Sequence, residues 1–169
     1  VAFHGIKSSL GIREFFTLLM ERAGKQASIN KMAKILGISP DTAKRYLSLF
    51  EETYLVYPVL RSGTTNESIL SPKKIYAADL GIRCLFTGLR DKGTLFENYV
   101  YLLIRHTGPR YVKRGDIEID FLTRDGVLIE VKYGSEMTKK QSDLFRDIIG
   151  YGIAALPPET GLHALLTAN

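Results

Sequence analysis

Residues 117–133 read Ile117-Glu118-Ile119-Asp120-Phe121-Leu122-Thr123-Arg124-Asp125-Gly126-Val127-Leu128-Ile129-Glu130-Val131-Lys132-Tyr133, and this stretch decides the fold. Two apolar, β-prone runs flank Arg124-Asp125-Gly126, a three-residue loop in which Gly126 takes the left-handed conformation, so the stretch predicts a β-hairpin pairing Thr123 with Val127. That register sets Asp120 opposite Glu130 and Glu118 opposite Lys132. Directly paired residues share a face, so Asp120, Glu130 and Lys132 are expected on one side of the sheet. A two-residue loop would separate them. Carboxylates at positions where a core takes apolar side chains need partners.

Working outward, Thr94 is expected to cap a helix carrying Leu95, Phe96, Tyr99, Val100, Leu102 and Leu103 and ending at Gly108 and Pro109. This helix is apolar over most of its circumference and is expected to be buried, with Glu97 inside it. A strand at 110–114 should precede the hairpin strands at 117–123 and 127–133. A helix Lys139–Ile149 and weaker strands near 151–156 and 163–167 should follow. Bringing Glu97 over the Asp120–Glu130 face would gather three carboxylates beside one ammonium. Hard oxygen donors of this kind suit Mg²⁺ or Mn²⁺, and Lys132 would orient a water or neutralise charge on phosphorus. Glu-x-Lys alone is commonly a solvated salt-bridged pair; the order helix Glu, strand Asp, hairpin, strand Glu-x-Lys is far more specific. Thr138-x-x-Gln141 reads as a capping box.

In that order, Glu97, Asp120 and Glu130-Val131-Lys132 resemble the PD-(D/E)XK nuclease superfamily over about residues 94–169. The resemblance implies a mixed sheet flanked by helices, with Glu97, Asp120 and Glu130 as metal ligands assisted by the Val131 carbonyl, and Lys132 as the catalytic lysine. Ile119 stands where the superfamily usually has proline. Gln141 is similar to a glutamine on the following helix in some subgroups, although its capping role is the favoured reading.

The N-terminal half carries a different pattern. Ile12, Phe15, Phe16, Leu19 and Met20 recur at helical period and predict a helix over 11–23. Ser28 caps a second helix that buries Ile29, Met32, Ala33 and Leu36 and ends at Gly37. Ser39-Pro40 opens a third, with Ala43, Tyr46, Leu47 and Phe50 inward. Two helices joined by a tight glycine turn have the shape of a helix-turn-helix. Thr42, Lys44, Arg45 and Ser48 are then left outward to meet phosphates and base edges. A strand over Leu55–Leu60, a loop over Arg61–Asn66 and a returning strand Ile75–Ala78 after Lys73-Lys74 complete a winged-helix order, with Lys73 and Lys74 as phosphate contacts. Asp79 to Gly88 reads as a short helix and turn. The division expected is a winged helix-turn-helix domain over 1–87 and a nuclease-like domain over 88–169, an α+β or α/β chain.

Leu36-Gly37-Ile38-Ser39, Lys44-Arg45-Tyr46-Leu47, Pro72-Lys73-Lys74-Ile75-Tyr76, Asp79-Leu80-Gly81 and Phe96-Glu97-Asn98 together make the chain similar to the C-terminal region of uncharacterised archaeal and bacterial AAA-type ATPases. The resemblance implies an upstream P-loop ATPase module in the same polypeptide. No Gly-x4-Gly-Lys-Ser/Thr occurs within these residues, and the first residue is valine, so a piece of a longer protein is expected.

The 169 residues are 45% hydrophobic and 24% charged, which excludes a disordered, collagen-like or coiled-coil chain. A net charge of +5 suits a polyanionic partner such as DNA. The lone Cys84 excludes an intrachain disulfide, and no apolar run spans a membrane, so a cytoplasmic protein is expected. His4, His106 and His163 are isolated, which gives no support to a hydrolase triad. Three functions compete on this reading: a Mg²⁺- or Mn²⁺-dependent nuclease guided by a winged helix, an inactive nuclease-fold module for DNA or protein recognition, and a purely structural oligomerisation role.

Overall fold

The computed structural model describes residues 9–153 and 164–168. In chain order the elements are α1 (Ser9–Glu21), β1 (Gln26–Ala27), α2 (Ile29–Ile35), α3 (Pro40–Glu52), β2 (Val56–Val59), α4 (Thr65–Leu70), β3 (Lys73–Ala77), α5 (Leu80–Thr87), α6 (Lys92–Ile104), a 3-10 turn (Arg105–Thr107), β4 (Arg110–Arg114), β5 (Ile117–Leu122), β6 (Leu128–Tyr133), α7 (Lys139–Ile153) and β7 (Ala164–Ala168). This is a mixed α+β chain in two compact units, Val1–Pro58 with Lys73–Arg90 and Val59–Pro72 with Asp91–Asn169. The sequence places one boundary, at 87/88; the second unit also takes in residues 59–72.

In the first unit, β3 lies between β1 and β2, and α1, α2 and α3 supply the core. The helix starts follow from cap chemistry. The Ser28 hydroxyl accepts from the Lys31 amide at 3.4 Å, and the Ser39 hydroxyl accepts from Thr42 at 3.1 Å ahead of Pro40. Phe15, Leu19 and Met20 of α1 and Ala43 of α3 are fully buried. The Phe15 ring lies 5.9 Å from Tyr46 and 6.4 Å from Phe50, so the α1–α3 contact is largely aromatic.

In the second unit the sheet order is β4-β5-β6-β7, antiparallel except for the parallel β6–β7 pair. α6 packs against β6, and α7 packs against β5. Residues 59–72 are tied to β4 through Tyr111, whose amide donates to the Leu60 carbonyl at 3.1 Å and whose carbonyl accepts from the Ser62 amide at 2.7 Å. The Tyr111 hydroxyl also donates to the Pro72 carbonyl at 2.5 Å. These bonds take up polar groups on an outer strand of the sheet.

Four expectations need correction. Between β2 and β3 the chain forms α4 rather than only a loop, and Thr64-x-x-Glu67 is its reciprocal capping box. α6 starts at Lys92 and is capped by Asp91, whose carboxylate accepts from the Thr94 amide at 3.3 Å, so Thr94 is not the cap. Nor is α6 buried all round: Tyr99 is 47% and Leu103 55% exposed, because the sheet covers one side of the helix only. Of the weak strand expected near 151–156, residues 151–153 are helical and the rest lie outside the described residues, as do His4 and His163.

Candidate nuclease-like site and basic helix

The hairpin forms as its loop chemistry requires. The Thr123 amide donates to the Val127 carbonyl at 2.9 Å, and Gly126 has φ 89°. The ladder pairs Leu122 with Leu128 and Phe121 with Ile129. At the next position side chains take over. The Asp120 amide donates to Glu130 Oε2 at 3.1 Å, and the Val131 amide donates to Asp120 Oδ2 at 3.0 Å. Each carboxylate thus caps the backbone of the opposite strand, and the two acids face each other across a fork in the sheet.

Two further groups converge on Glu130, which is 1% exposed. Lys132 Nζ lies 2.7 Å from Oε1, and Gln141 Nε2 donates to the same oxygen at 2.8 Å. Gln141 does both things the sequence offered. Its carbonyl oxygen accepts from the Thr138 amide at 3.1 Å as part of the α7 capping box, and its amide nitrogen reaches Glu130. A side-chain amide has an acceptor and two donors, so capping does not exclude reaching the site.

Burial and the neighbouring Asp120 carboxylate push Glu130 up to about 7, against the pull of the Lys132 ammonium. The folded chain therefore holds a proton that the unfolded chain releases near the ordinary glutamate value of 4.5. By linkage, stability falls as pH rises between these two values. Urea melts in EDTA across this window are expected to show that decline, and Glu130→Gln should flatten it.

The structure brings together Asp120, Glu130 and Lys132. The rings of α6 pack on the sheet, with Tyr101 6.1 Å from Phe121 and Phe96 6.2 Å from Tyr133. Glu97 is buried in that helix. Among the described residues no group of three or more His, Cys, Asp or Glu could hold a metal ion. What remains is a pair of hard carboxylates, Asp120 and Glu130, whose mutual repulsion favours a cation between them. Mg²⁺ binds through one or two carboxylates when phosphate oxygens and waters complete its shell, so this donor pair fits such an ion without a third acid.

On the first unit, Lys44, Arg45 and Ser48 are exposed along α3, as expected for an outward face. Lys44 pairs with Asp41 at 3.6 Å, and Arg45 donates to the Thr42 hydroxyl at 3.4 Å. That hydroxyl is 2.9 Å from Ser39 Oγ, so Thr42 belongs to the cap as well as to the surface. Lys73 is half-buried, and Lys74 is 1% exposed, with Nζ 5.9 Å from the Tyr76 ring centroid. The expectation that Lys74 is a surface phosphate contact is corrected: β3 is the central strand of its sheet, and residues 74–77 along it are buried.

Residues 1–93 match the family model of a domain of unknown function, DUF8612. No curated protein and no solved structure matches the chain. The match ends before Glu97, so Glu97, Asp120 and Glu130 lie outside it.

Proposed function

We propose, for a chain that belongs to the DUF8612 family, a DNA-binding role in which the first unit acts as a winged helix-turn-helix and the second as a PD-(D/E)XK nuclease-like domain cleaving phosphodiesters with Mg²⁺ or Mn²⁺. In this reading the chain is the C-terminal region of a cytoplasmic AAA-type ATPase, and the P-loop module lies upstream. The observation that carries it is the fork, where Asp120 and Glu130 face each other with Lys132 Nζ 2.7 Å from Glu130.

Asp120 and Glu130, with the Val131 carbonyl beside them, would hold the ion, which when bound supplies Lewis-acid activation of water and phosphate. Lys132 would place its ammonium where charge develops on phosphorus, and Gln141 would fix the Glu130 carboxylate in its rotamer. Glu97 enters as a further ligand candidate, and its Glu97→Gln variant decides whether it belongs to the set. The test is incubation of plasmid and branched DNA with Mg²⁺ or Mn²⁺ against EDTA. Cleavage in the metal arm is expected, and intact DNA in every arm would overturn the nuclease role.

Glu130 bonded at once to Lys132, Gln141 and the Asp120 amide favours a second reading, a nuclease fold retained only for DNA or protein recognition. Metal titration separates the two, since an inactive module takes up no Mg²⁺ that depends on the carboxylates.

DNA contact by α3 has its own test. Lys44→Ala with Arg45→Ala is expected to weaken duplex binding about equally for all sequences and to reduce the log–log salt slope by about 2, one for each phosphate that the two side chains neutralise in the native chain. Fluorescence anisotropy across a salt series reads this, and an unchanged slope would remove α3 from the interface.

A further inference from the structure

Toward the hairpin loop from the fork, Ser62, Gly63, Gly108, Arg110, Thr123 and Arg124 line a cavity of about 390 Å³, all within the second unit. This volume is in the range of small-ligand sites. Two guanidinium-bearing residues line it and no carboxylate does. Arg110 is held by a bond from Nη1 to the Ser68 hydroxyl at 2.9 Å. Gly108 has φ 62°, which favours glycine, and a Cβ there would stand 3.0 Å from a terminal nitrogen of Arg124, so the guanidinium lies against the backbone at Gly108. The nearby Glu67 carboxylate is already engaged, 3.3 Å from Arg61 and accepting from the Thr64 amide at 2.9 Å. The Thr123 hydroxyl is spent on Val127, which leaves the Ser62 hydroxyl as a small donor beside the two arginines.

A surplus of two cations suits an oxyanion, and guanidinium is the group that binds phosphate oxygens in a directed, bidentate manner. A phosphomonoester, whose second pKa is about 6, carries close to two charges at neutral pH; an internal phosphodiester carries one. Arg110 pairs with Leu122 in the β4–β5 register, and Leu122, which also lines the cavity, lies two residues along β5 from Asp120, about 7 Å by strand rise, across the register shift between the Arg110–Leu122 and Val112–Ile119 pairs. Cavity and fork are therefore on the order of one nucleotide step apart.

We infer that this cavity seats the terminal phosphomonoester of a DNA strand, with the neighbouring phosphodiester delivered to the Asp120–Glu130 fork. The inference rests on the nuclease reading above and deepens it by naming the substrate end. The test is binding by the intact chain in EDTA, where nothing is cut. Short single strands carry a 5′-phosphate, a 3′-phosphate or hydroxyl ends, and a mononucleotide and inorganic phosphate serve as competitors. One phosphorylated end is expected to bind about 10-fold tighter than the hydroxyl strand, the scale of one charge-assisted hydrogen bond. Arg124→Ala and Arg110→Ala should each abolish that preference, and Arg124→Lys should retain part of it.

Equal affinity for all three strands would overturn the inference. So would a mononucleotide or inorganic phosphate competing as well as the phosphorylated strand, which would reassign the cavity to free phosphate compounds. A phosphate-end preference in a chain that cleaves no DNA would support the cavity and defeat the nuclease role, so the two failures are distinguishable.

Discussion

Asp120→Asn is expected to lower Mg²⁺-dependent DNA cleavage by at least about 100-fold, the usual cost of removing one pre-organised electrostatic group from a reacting centre. The substitution isolates charge from structure. Asp120 Oδ2 accepts the Val131 amide at 3.0 Å, and an asparagine carbonyl can accept the same bond, so the fork persists. Removing the Asp120 charge also removes the second-largest cause of the raised Glu130 value, so Glu130 should titrate lower in the variant. NMR titration of labelled glutamate carboxyl carbons reads that shift independently of activity. A variant with wild-type cleavage would remove Asp120 from the chemistry. Lys132→Ala makes a different comparison. It strips the ammonium from a carboxylate that is 1% exposed, and breaking one side of a buried pair costs about 3–5 kcal/mol. Its loss of cleavage must therefore be read beside its melting curve.

Phe15→Ala should cost about 3–5 kcal/mol of stability, because the transfer cost of a buried phenyl adds to the cavity it leaves. Phe15 is fully buried and touches two aromatic rings of α3, Tyr46 and Phe50. The contact it makes positions the helix that presents Lys44 and Arg45. Loss of DNA binding in parallel with the melting transition is expected, with binding retained at low temperature where the fold persists. Chemical denaturation checks the magnitude, and a loss below about 1 kcal/mol would mean that the α1–α3 contact relaxes around the missing ring.

These two predictions depend on features of different legibility. The α1–α3 face was readable because amphipathic period, serine caps, Pro40 and Gly37 act within a few residues of themselves, and the structure places each as expected. The hairpin register was readable for the same reason: loop length and one glycine set which residues of β5 and β6 oppose each other. α4 is equally legible in Thr64-x-x-Glu67, a local capping box that starts the helix within the stretch Arg61–Asn66.

Other features came from packing between distant segments. Glu97 is expected over the carboxylate face, but which face of the sheet α6 covers depends on how a whole helix docks, and its rings meet Phe121 of β5 and Tyr133 of β6. Lys74 looked like surface charge beside Lys73, and its burial follows only from β3 being the middle strand. Gln141 showed its capping role locally, whereas its bond to Glu130 required α7 to lie against β5.

Local chemistry along the chain, acting over a turn or a hairpin, therefore settled the helices, their caps, the hairpin and the cross-strand meeting of Asp120 with Glu130. Long-range packing decided which helix reaches that meeting point, the attachment of residues 59–72 to β4, and the two-arginine cavity. Contacts between segments tens of residues apart depend on the docking of complete elements, which no short window of sequence specifies.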